Sequence, residues 1–236
     1  MARSKTLTAG LFTMMFLAPC ILAADPDPLQ DFCVADLDSE VSVNGYPCVP
    51  TSEAGDDFLF SSRLATVRHS TAGNTSTPNG SAVTRLDVRG FPGTNTQGIS
   101  MNRVDFAPGG INPPHVHPRA SEIGMVTRGE LLVGIIGSFE SGERLYSKVV
   151  RAGGTFLIPR GLMHFQYNVG AEEASMFVSF NSQNPGIVFV PVSLVGSNPP
   201  IPTPVLTRAL RVNASVVELL KSNFASGSYF IPRTVE

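Results

Sequence analysis

The sequence contains no tryptophan, three cysteines and four histidines among its 236 residues. Histidine and cysteine ligands are therefore few, so a metal site built from them must use a small set of positions. The chain also has no stretch in which basic and aromatic residues are interleaved, and its formal net charge is −2. We therefore expect no nucleic-acid partner.

Long apolar runs are also missing, except at the N-terminus. Arg3 and Lys5 precede an apolar run over 7–22, and Ala23 and Ala24 supply small residues for cleavage. This pattern is typical of a secretory signal peptide and predicts that residues 1–24 are removed. A membrane anchor is the alternative, although the run is short for a span. We expect a secreted product that has no membrane attachment after cleavage.

The cysteines agree with export. Cys20 lies in the predicted signal peptide, which leaves Cys33 and Cys48. An even pair in an oxidising compartment favours a disulfide. Closing this 15-residue separation would stabilise the fold by about 3 kcal/mol in the chain-entropy description. Two free thiols or half of a metal site are the alternatives, and no further cysteine supports the metal site.

Three asparagines begin N-glycosylation sequons. Asn74 and Asn79 lie in a polar stretch rich in Gly, Ser, Thr and Pro, which predicts an exposed loop that carries glycans. Asn213 begins the third sequon, but an apolar helical pattern starts directly after it. We interpret Asn213 as the N-cap of that helix.

The remaining pattern predicts an all-β domain. From about Gly98 to Pro191, short apolar segments alternate with turn residues, and Gly (22) and Pro (19) are frequent. Many short strands at this spacing are typical of a β-sandwich or barrel. We divide the mature chain into a disulfide-bridged N-terminal segment (25–60), a β-barrel (61–200) and a C-terminal helical segment (201–236).

The C-terminal segment contains two predicted short helices, "TPVLTRALR" and "NASVVELLKSNF". In the second, Val217, Leu220 and Phe224 recur at helical spacing and form one apolar stripe. The stripe either packs on the barrel or contacts another subunit, and the sequence leaves both alternatives open.

Two of the four histidines stand one residue apart, between prolines. Side chains two apart on a strand point to the same face, so His115 and His117 face the same point. Glu122 begins the next predicted strand and can reach that point. His164 lies on a later strand after a Pro-Arg-Gly turn and is the candidate fourth ligand. We predict a metal site, while a chance His-x-His is the alternative.

The spacing of these four residues matches the two motifs of the cupins. The first motif extends over Gly109–Gly129 and the second over Gly153–Asn168, and both are complete. The stretches "DPDPLQDFCVAD" and "FNSQNPGIVFVP" further resemble the germins of plants, and this resemblance covers about 25–226.

The resemblance implies a single cupin jelly-roll β-barrel with short C-terminal α-helices. It implies one Mn²⁺ held by His115, His117, Glu122 and His164, and it agrees with a Cys33–Cys48 disulfide. Three imidazoles and one carboxylate, with no thiolate, also suit a borderline-hard divalent ion. The resemblance further implies a glycosylated homohexamer, a trimer of dimers joined through the C-terminal helices, in the apoplast or cell wall.

Two amides point to the reaction. Asn102 shares a strand face with the apolar Val104 and Phe106, and Asn112 lies three residues before His115. Both amides could simply satisfy backbone groups. The germins that carry asparagine at these two positions are oxalate oxidases, so the resemblance implies that oxalate and dioxygen give carbon dioxide and hydrogen peroxide. Two alternatives remain, an extracellular superoxide dismutase and a cell-wall structural or binding glycoprotein.

Overall fold

The computed structural model of the chain describes residues 30–41, 45–65 and 73–224. The predicted signal peptide and the last twelve residues, 225–236, lie outside the described residues. Within the described part of the chain, no helix has the length and apolar character needed to cross a membrane.

Ten antiparallel strands form two five-stranded sheets, in the orders β1-β2-β9-β4-β7 and β10-β3-β8-β5-β6. The all-β prediction is confirmed. The strands are β1 (Ser81–Leu86), β2 (Ser100–Phe106), β3 (Ile111–Val116), β4 (Glu122–Arg128), β5 (Glu130–Ile136), β6 (Leu145–Arg151), β7 (Thr155–Ile158), β8 (Met163–Asn168), β9 (Ala174–Phe180) and β10 (Val188–Phe189).

Alternation along the strands places the core between the two sheets. In β2 the buried residues are Ser100, Asn102, Val104 and Phe106, while Met101 is exposed. The main apolar cluster draws on both sheets, because it joins residues of β2, β4 and β9 to residues of β5. A strand with one buried face requires this period of two.

Two elements were not predicted from the sequence. β1 lies before the predicted strand series, and it forms because its whole length pairs with β2. The predicted strand series extends to about Pro191, but its last strand, β10, ends at Phe189, and α1 (Val190–Val195) begins at the next residue. A short apolar run fits a strand and a buried helix equally well, and a proline is tolerated in the first helical turn.

The two C-terminal helices form at the expected places, as α2 (Thr203–Leu210) and α3 (Ala214–Phe224). The apolar stripe of α3 packs inside the chain, because Val217 is fully buried in a cluster with Val195 of α1 and Leu206 of α2. Within this chain the stripe therefore packs on the other two helices rather than on the barrel sheets. Val216 and Leu219 of α3 remain exposed.

The structure contains the Cys33–Cys48 disulfide. It lies in a small N-terminal unit in which Ala35 and Cys48 form an antiparallel bridge. This unit packs on the barrel through the loop before β2: the Ala35 N–H donates to the Pro92 carbonyl, and the Asn95 amide contacts the sulfur of Cys33 at 3.2 Å.

Reduction of this disulfide should loosen the N-terminal unit before the barrel. The bridged loop lies wholly ahead of β1, and its closure contributes about 3 kcal/mol. Limited proteolysis with and without reductant measures the effect. We expect the first new cleavage within 30–65, and a first cleavage within 98–191 would contradict this account.

Candidate metal centre and substrate cavity

Three of the four candidate ligands lie in or beside one sheet. His115 in β3 and His164 in β8 are register partners on neighbouring strands, and His117 follows directly after β3. The prolines around the pair restrict the backbone at this edge. The three side chains are buried, with exposed fractions of 1% for His115, 6% for His117 and 0% for His164.

The fourth candidate comes from the opposite sheet. Glu122 begins β4, pairs with Ile158 and Phe180, and is 2% exposed. Its inward side chain reaches between the sheets to the histidines. One ligand atom from each of the four residues lies within 4.8 Å of the other three. The structure therefore brings together all four residues that the sequence analysis selected.

Backbone carbonyls fix the orientation of all three imidazole rings. His115 Nδ1 lies 2.7 Å from the Pro113 carbonyl, and His164 Nδ1 lies 2.9 Å from the Leu162 carbonyl. His117 Nδ1 lies 2.6 Å from the Gly186 carbonyl. Because a carbonyl only accepts, each Nδ1 carries the proton and donates it. Each Nε2 then keeps its lone pair, as a metal ligand requires.

The charges at the centre match this arrangement. Burial, together with the neighbouring His164 and His117, lowers the pKa of His115 to about 3, so its ring is neutral near pH 7. Burial alone would raise the pKa of the Glu122 carboxyl. The neighbouring His117 and His164 outweigh burial and hold that pKa below its usual range. A neutral His115 ring and an ionised Glu122 carboxylate are ligand states that a divalent cation needs.

The contacts between these groups fit a bound cation. Nε2 of His117 and Nε2 of His164 lie 3.1 and 3.3 Å from one Glu122 carboxylate oxygen. The buried His164 Nε2 has no hydrogen-bond partner among the described residues. Lone pairs that converge on a carboxylate repel it, and a buried polar atom without a partner is costly. A metal ion among the four ligands removes both costs.

The Gly186 carbonyl depends on an unusual backbone. Gly186 has φ +68°, and a Cβ there would meet the guanidinium of Arg119 at 2.7–3.0 Å. Arg119 also holds this loop, since its Nε donates to the Asn184 carbonyl at 2.7 Å. Sequence reasoning missed Gly186 as a partner of His117, because the loop before β10 and the end of β3 come together only in the folded chain. Its place in an "NPG" turn was the available signal.

Gly186→Ala should weaken metal binding although Gly186 is not a ligand. The new Cβ must displace either Arg119 or the carbonyl that orients His117. Loss of such an outer partner typically costs about 10–100-fold in metal affinity. Metal dissociation measured with a chelator tests this.

The matched control for that variant is Gly142→Ala, on the hairpin between β5 and β6. Gly142 has a similar φ of +73° but no atom within 4 Å of the added Cβ. It should suffer the same backbone strain and keep the metal. Equal metal loss in both variants would mean that the Gly186 carbonyl has no special role.

A cavity opens beside the candidate ligands His115, His117 and Glu122, and both predicted amides line it. The other lining residues are apolar: Val83, Val104, Met176, Val178, Phe180 and Ile187. Asn102 is 9% exposed, and its Oδ1 accepts a hydrogen bond from the Leu86 N–H at 3.2 Å. The NH₂ end of this amide is therefore the end available to a ligand.

Asn112 is held by a residue that the sequence analysis missed. Its Nδ2 donates to Gln166 Oε1 at 2.8 Å, and Gln166 is fully buried on β8. The second polar atom of each amide, Asn112 Oδ1 and Gln166 Nε2, is buried without a hydrogen-bond partner in the described part of the chain. Such a pair is costly unless a ligand or water completes it. The sequence did contain a signal for Gln166, because it lies two residues after His164 and therefore shares its strand face.

Comparison with known proteins agrees with this geometry. The sequence pattern of the family described as Cupin matches residues 68–218. The chain belongs to the cupin family. This cupin is 76% identical over 228 residues to oxalate oxidase GF-2.8 of Triticum aestivum, which covers 96% of the chain and 100% of the relative. It is 70% identical over 226 residues to germin-like protein 3-3 of Oryza sativa subsp. japonica, with coverages of 94% and 98%.

The cupin also resembles solved structures. An oxalate oxidase in complex with the substrate analogue glycolate superposes with a TM-score of 0.83 at 76% identity, covering 86% of this chain and all of that one. Peruvianin-I, described as a cysteine peptidase from Thevetia peruviana latex, has a TM-score of 0.64 at 40% identity, with coverages of 70% and 98%. Both cysteines in the described part of this cupin are joined to each other, so neither offers a thiol.

Proposed function

We propose that this cupin is a secreted oxalate oxidase that uses one Mn²⁺. The observation that carries the proposal is the cavity in which Asn102 and Asn112 lie beside the buried three-histidine, one-glutamate group. The full-length similarity to proteins named oxalate oxidase supports the same activity. The reaction cleaves the carbon–carbon bond of oxalate and passes two electrons to dioxygen. With two protons, it yields two carbon dioxide molecules and one hydrogen peroxide.

The donor set of His115, His117, Glu122 and His164 suits manganese. Three imidazoles and one carboxylate fit an octahedral borderline-hard ion, with positions left for substrate or water. A divalent ion with one carboxylate ligand carries a net charge of about +1, which favours a small dianion. When bound, the ion supplies a Lewis acid for a carboxylate and a redox partner for dioxygen.

The chain's own side chains would bind and orient the substrate. The NH₂ group of Asn102 can donate to a carboxylate oxygen of oxalate. Among the described residues, Asn112 Oδ1 and Gln166 Nε2 have no partner; Oδ1 can accept from a water that bridges to the ligand, and Nε2 can donate. None of these amides titrates, so the pocket holds a dianion without gaining or losing protons. Preorganised donors of this kind act most strongly where water is excluded.

The walls of the cavity favour oxidation over decarboxylation. Apolar side chains such as Val104, Val178 and Phe180 keep water from reactive species. Among the described residues that line the cavity, Glu122 is the single carboxyl, and it belongs to the metal group. A decarboxylase would need a further acid to give a proton to its product carbon.

Relatives with different names have equal sequence identity to this chain, so one function competes with oxalate oxidation. Germin-like protein 3-3 of rice and oxalate oxidase GF-3.8 of wheat are each 70% identical to this chain. An open manganese site could also dismutate superoxide. The two amides favour oxalate oxidation, because dismutation of superoxide needs no group that holds a dicarboxylate.

We propose in addition that the protein is a homohexamer in the apoplast. The outer face of the β1-containing sheet exposes Met101, Ile123, Met125 and Leu157, at 39–61% of their surface. Apolar side chains clustered on one sheet face are typical of a contact with another subunit. Val205, Val216 and Leu219 of α2 and α3 are also exposed and offer a second contact. Two separate contacts per subunit are what a trimer of dimers requires.

Metal reconstitution tests the proposed activity. Protein secreted from a eukaryotic host is stripped of metal, reloaded with manganese, zinc or copper, and assayed for oxalate-dependent peroxide and for superoxide dismutation. We expect oxalate turnover with manganese alone. Dismutation without any oxalate turnover would reject the oxidase proposal in favour of the competing function.

A further inference from the structure

The third sequon, Asn213-Ala214-Ser215, occupies an exposed corner between α2 and α3. The sequence analysis assigned Asn213 to capping the helix that follows. The structure does place Asn213 directly before α3, but no backbone N–H in the described residues donates to its side chain. Its Oδ1 accepts instead from the hydroxyl of Ser215 at 2.9 Å. The side-chain amide of Asn213 therefore does not cap the helix.

We propose that Asn213 is N-glycosylated and that Asn74 and Asn213, not Asn79, carry the glycans of this protein. This inference rests on the proposed secretory route. The Ser215 hydroxyl binds the oxygen end of the Asn213 amide and leaves Nδ2 at the exposed surface. No hydrogen bond to this Nδ2 occurs within the described part of the chain. It is the atom to which a glycan is joined.

The other two sequons differ in the placement of the same atom. Asn74 is exposed, and its Oδ1 accepts from the Ser76 N–H at 3.0 Å, so its Nδ2 is also at the outer end. Asn79 Nδ2 is buried and has no hydrogen-bond partner among the residues that the structure describes. Next to it the backbone is tightly packed, since the Asn79 carbonyl accepts from the Ile111 N–H at the start of β3.

A glycan is added as the chain enters the secretory route, before folding is complete. The burial of an asparagine side chain in the fold therefore limits which glycosylated chains can reach the folded state. A glycan on Asn79 could not return with Nδ2 to its buried place without opening the start of β3, so folded molecules should lack it. Glycans on Asn74 and Asn213 point into solvent and leave the fold unchanged.

The transfer balances without a redox partner. A bond forms between Nδ2 and the first sugar carbon of a lipid-linked oligosaccharide diphosphate. The bond from that carbon to the diphosphate oxygen breaks, and the lipid diphosphate leaves. The amide nitrogen gives up one proton to the transferase or to solvent. No other group of the chain changes its charge.

The test uses the full chain secreted from a plant or yeast host. Intact mass before and after enzymatic deglycosylation counts the glycans, and glycopeptide mass spectrometry locates them. We expect occupied Asn74 and Asn213 and unmodified Asn79. Ser215→Ala, which keeps Asn213, should remove one glycan, and Ser215→Thr, which keeps the sequon, should retain it. Oxalate oxidation per manganese should be the same in both variants.

The outcomes separate this inference from the secretory proposal. A glycan on Asn74 with Asn213 unmodified would overturn the Asn213 assignment and leave secretion intact. No glycan at any sequon in secreted, folded and active protein would overturn the glycan assignment and leave the secretory proposal intact, whereas failure of the chain to reach the medium would reject the secretory proposal itself. A glycan on Asn79 in the folded protein would overturn the argument from burial.

Discussion

His164→Ala is expected to strip the metal and abolish oxalate oxidation. His164 is the single ligand from β8, and its Nε2 is buried with no other partner. Loss of an outer partner already costs about 10–100-fold in metal affinity, so loss of a ligand should cost more than about 100-fold. Manganese per subunit, measured by atomic emission, should fall close to zero under dialysis.

The control for His164→Ala is Tyr167→Ala on the same strand. Tyr167 is 38% exposed and points away from the centre, so its loss tests damage to β8 alone. We expect it to keep its manganese. Circular dichroism of the His164 variant should still show a folded β protein, because the apolar core between the sheets is unchanged. Full manganese occupancy in folded His164→Ala would mean that the four-ligand assignment is wrong.

Asn102→Ala should separate substrate chemistry from metal binding. Asn102 is not a ligand, so manganese content and oligomeric state should be unchanged. Its Oδ1 accepts one backbone hydrogen bond, from Leu86, so the stability cost should be about 1 kcal/mol. One preorganised donor can contribute roughly 3 kcal/mol in the transition state, so oxalate turnover should fall about a hundredfold. Superoxide dismutation, if the wild type has it, should survive.

Asn168→Ala is the matched buried-amide control. Asn168 lies at the end of β8, and its Nδ2 donates to the carbonyls of Ala107 and Glu172 rather than to the cavity. Its loss should lower the free energy of unfolding by about 1–3 kcal/mol and leave turnover per manganese intact. Unchanged oxalate turnover in Asn102→Ala would show that Asn102 is only a satisfied core amide.

The metal group was predictable because its information is local. The spacing of His115 and His117 places both side chains on one face of a strand. Glu122 begins the next strand after a short bend, and His164 follows the Pro-Arg-Gly turn at 159–161. What the sequence could not supply was the set of groups that orient these ligands. The Gly186 carbonyl and the Gln166 amide reach the site only through the packing of distant segments. Their local signals, an NPG turn and a place two residues after His164, do not show which groups they contact.

The fold shows the same division. Strands with clear alternation, such as β2 and β4, were predictable from their period of two. β1 was not, because its pairing with β2 rather than its own pattern makes it a strand. The helical stripe of α3 was visible, but its partners in α1 and α2 were not. The sequence favoured Asn213 as an N-cap, whereas in the structure its Oδ1 accepts from the Ser215 hydroxyl, a contact that the sequence did not predict.

The most direct test of the central claim is the stoichiometry of turnover by the manganese-loaded wild type. Oxalate and dioxygen consumption, carbon dioxide, peroxide and formate are measured in one reaction with catalase absent. The account predicts one dioxygen consumed and one peroxide formed for each oxalate, with two carbon dioxide molecules and no formate. Formate without dioxygen consumption would show a decarboxylase. No oxalate consumption at full manganese occupancy would contradict the proposed activity altogether.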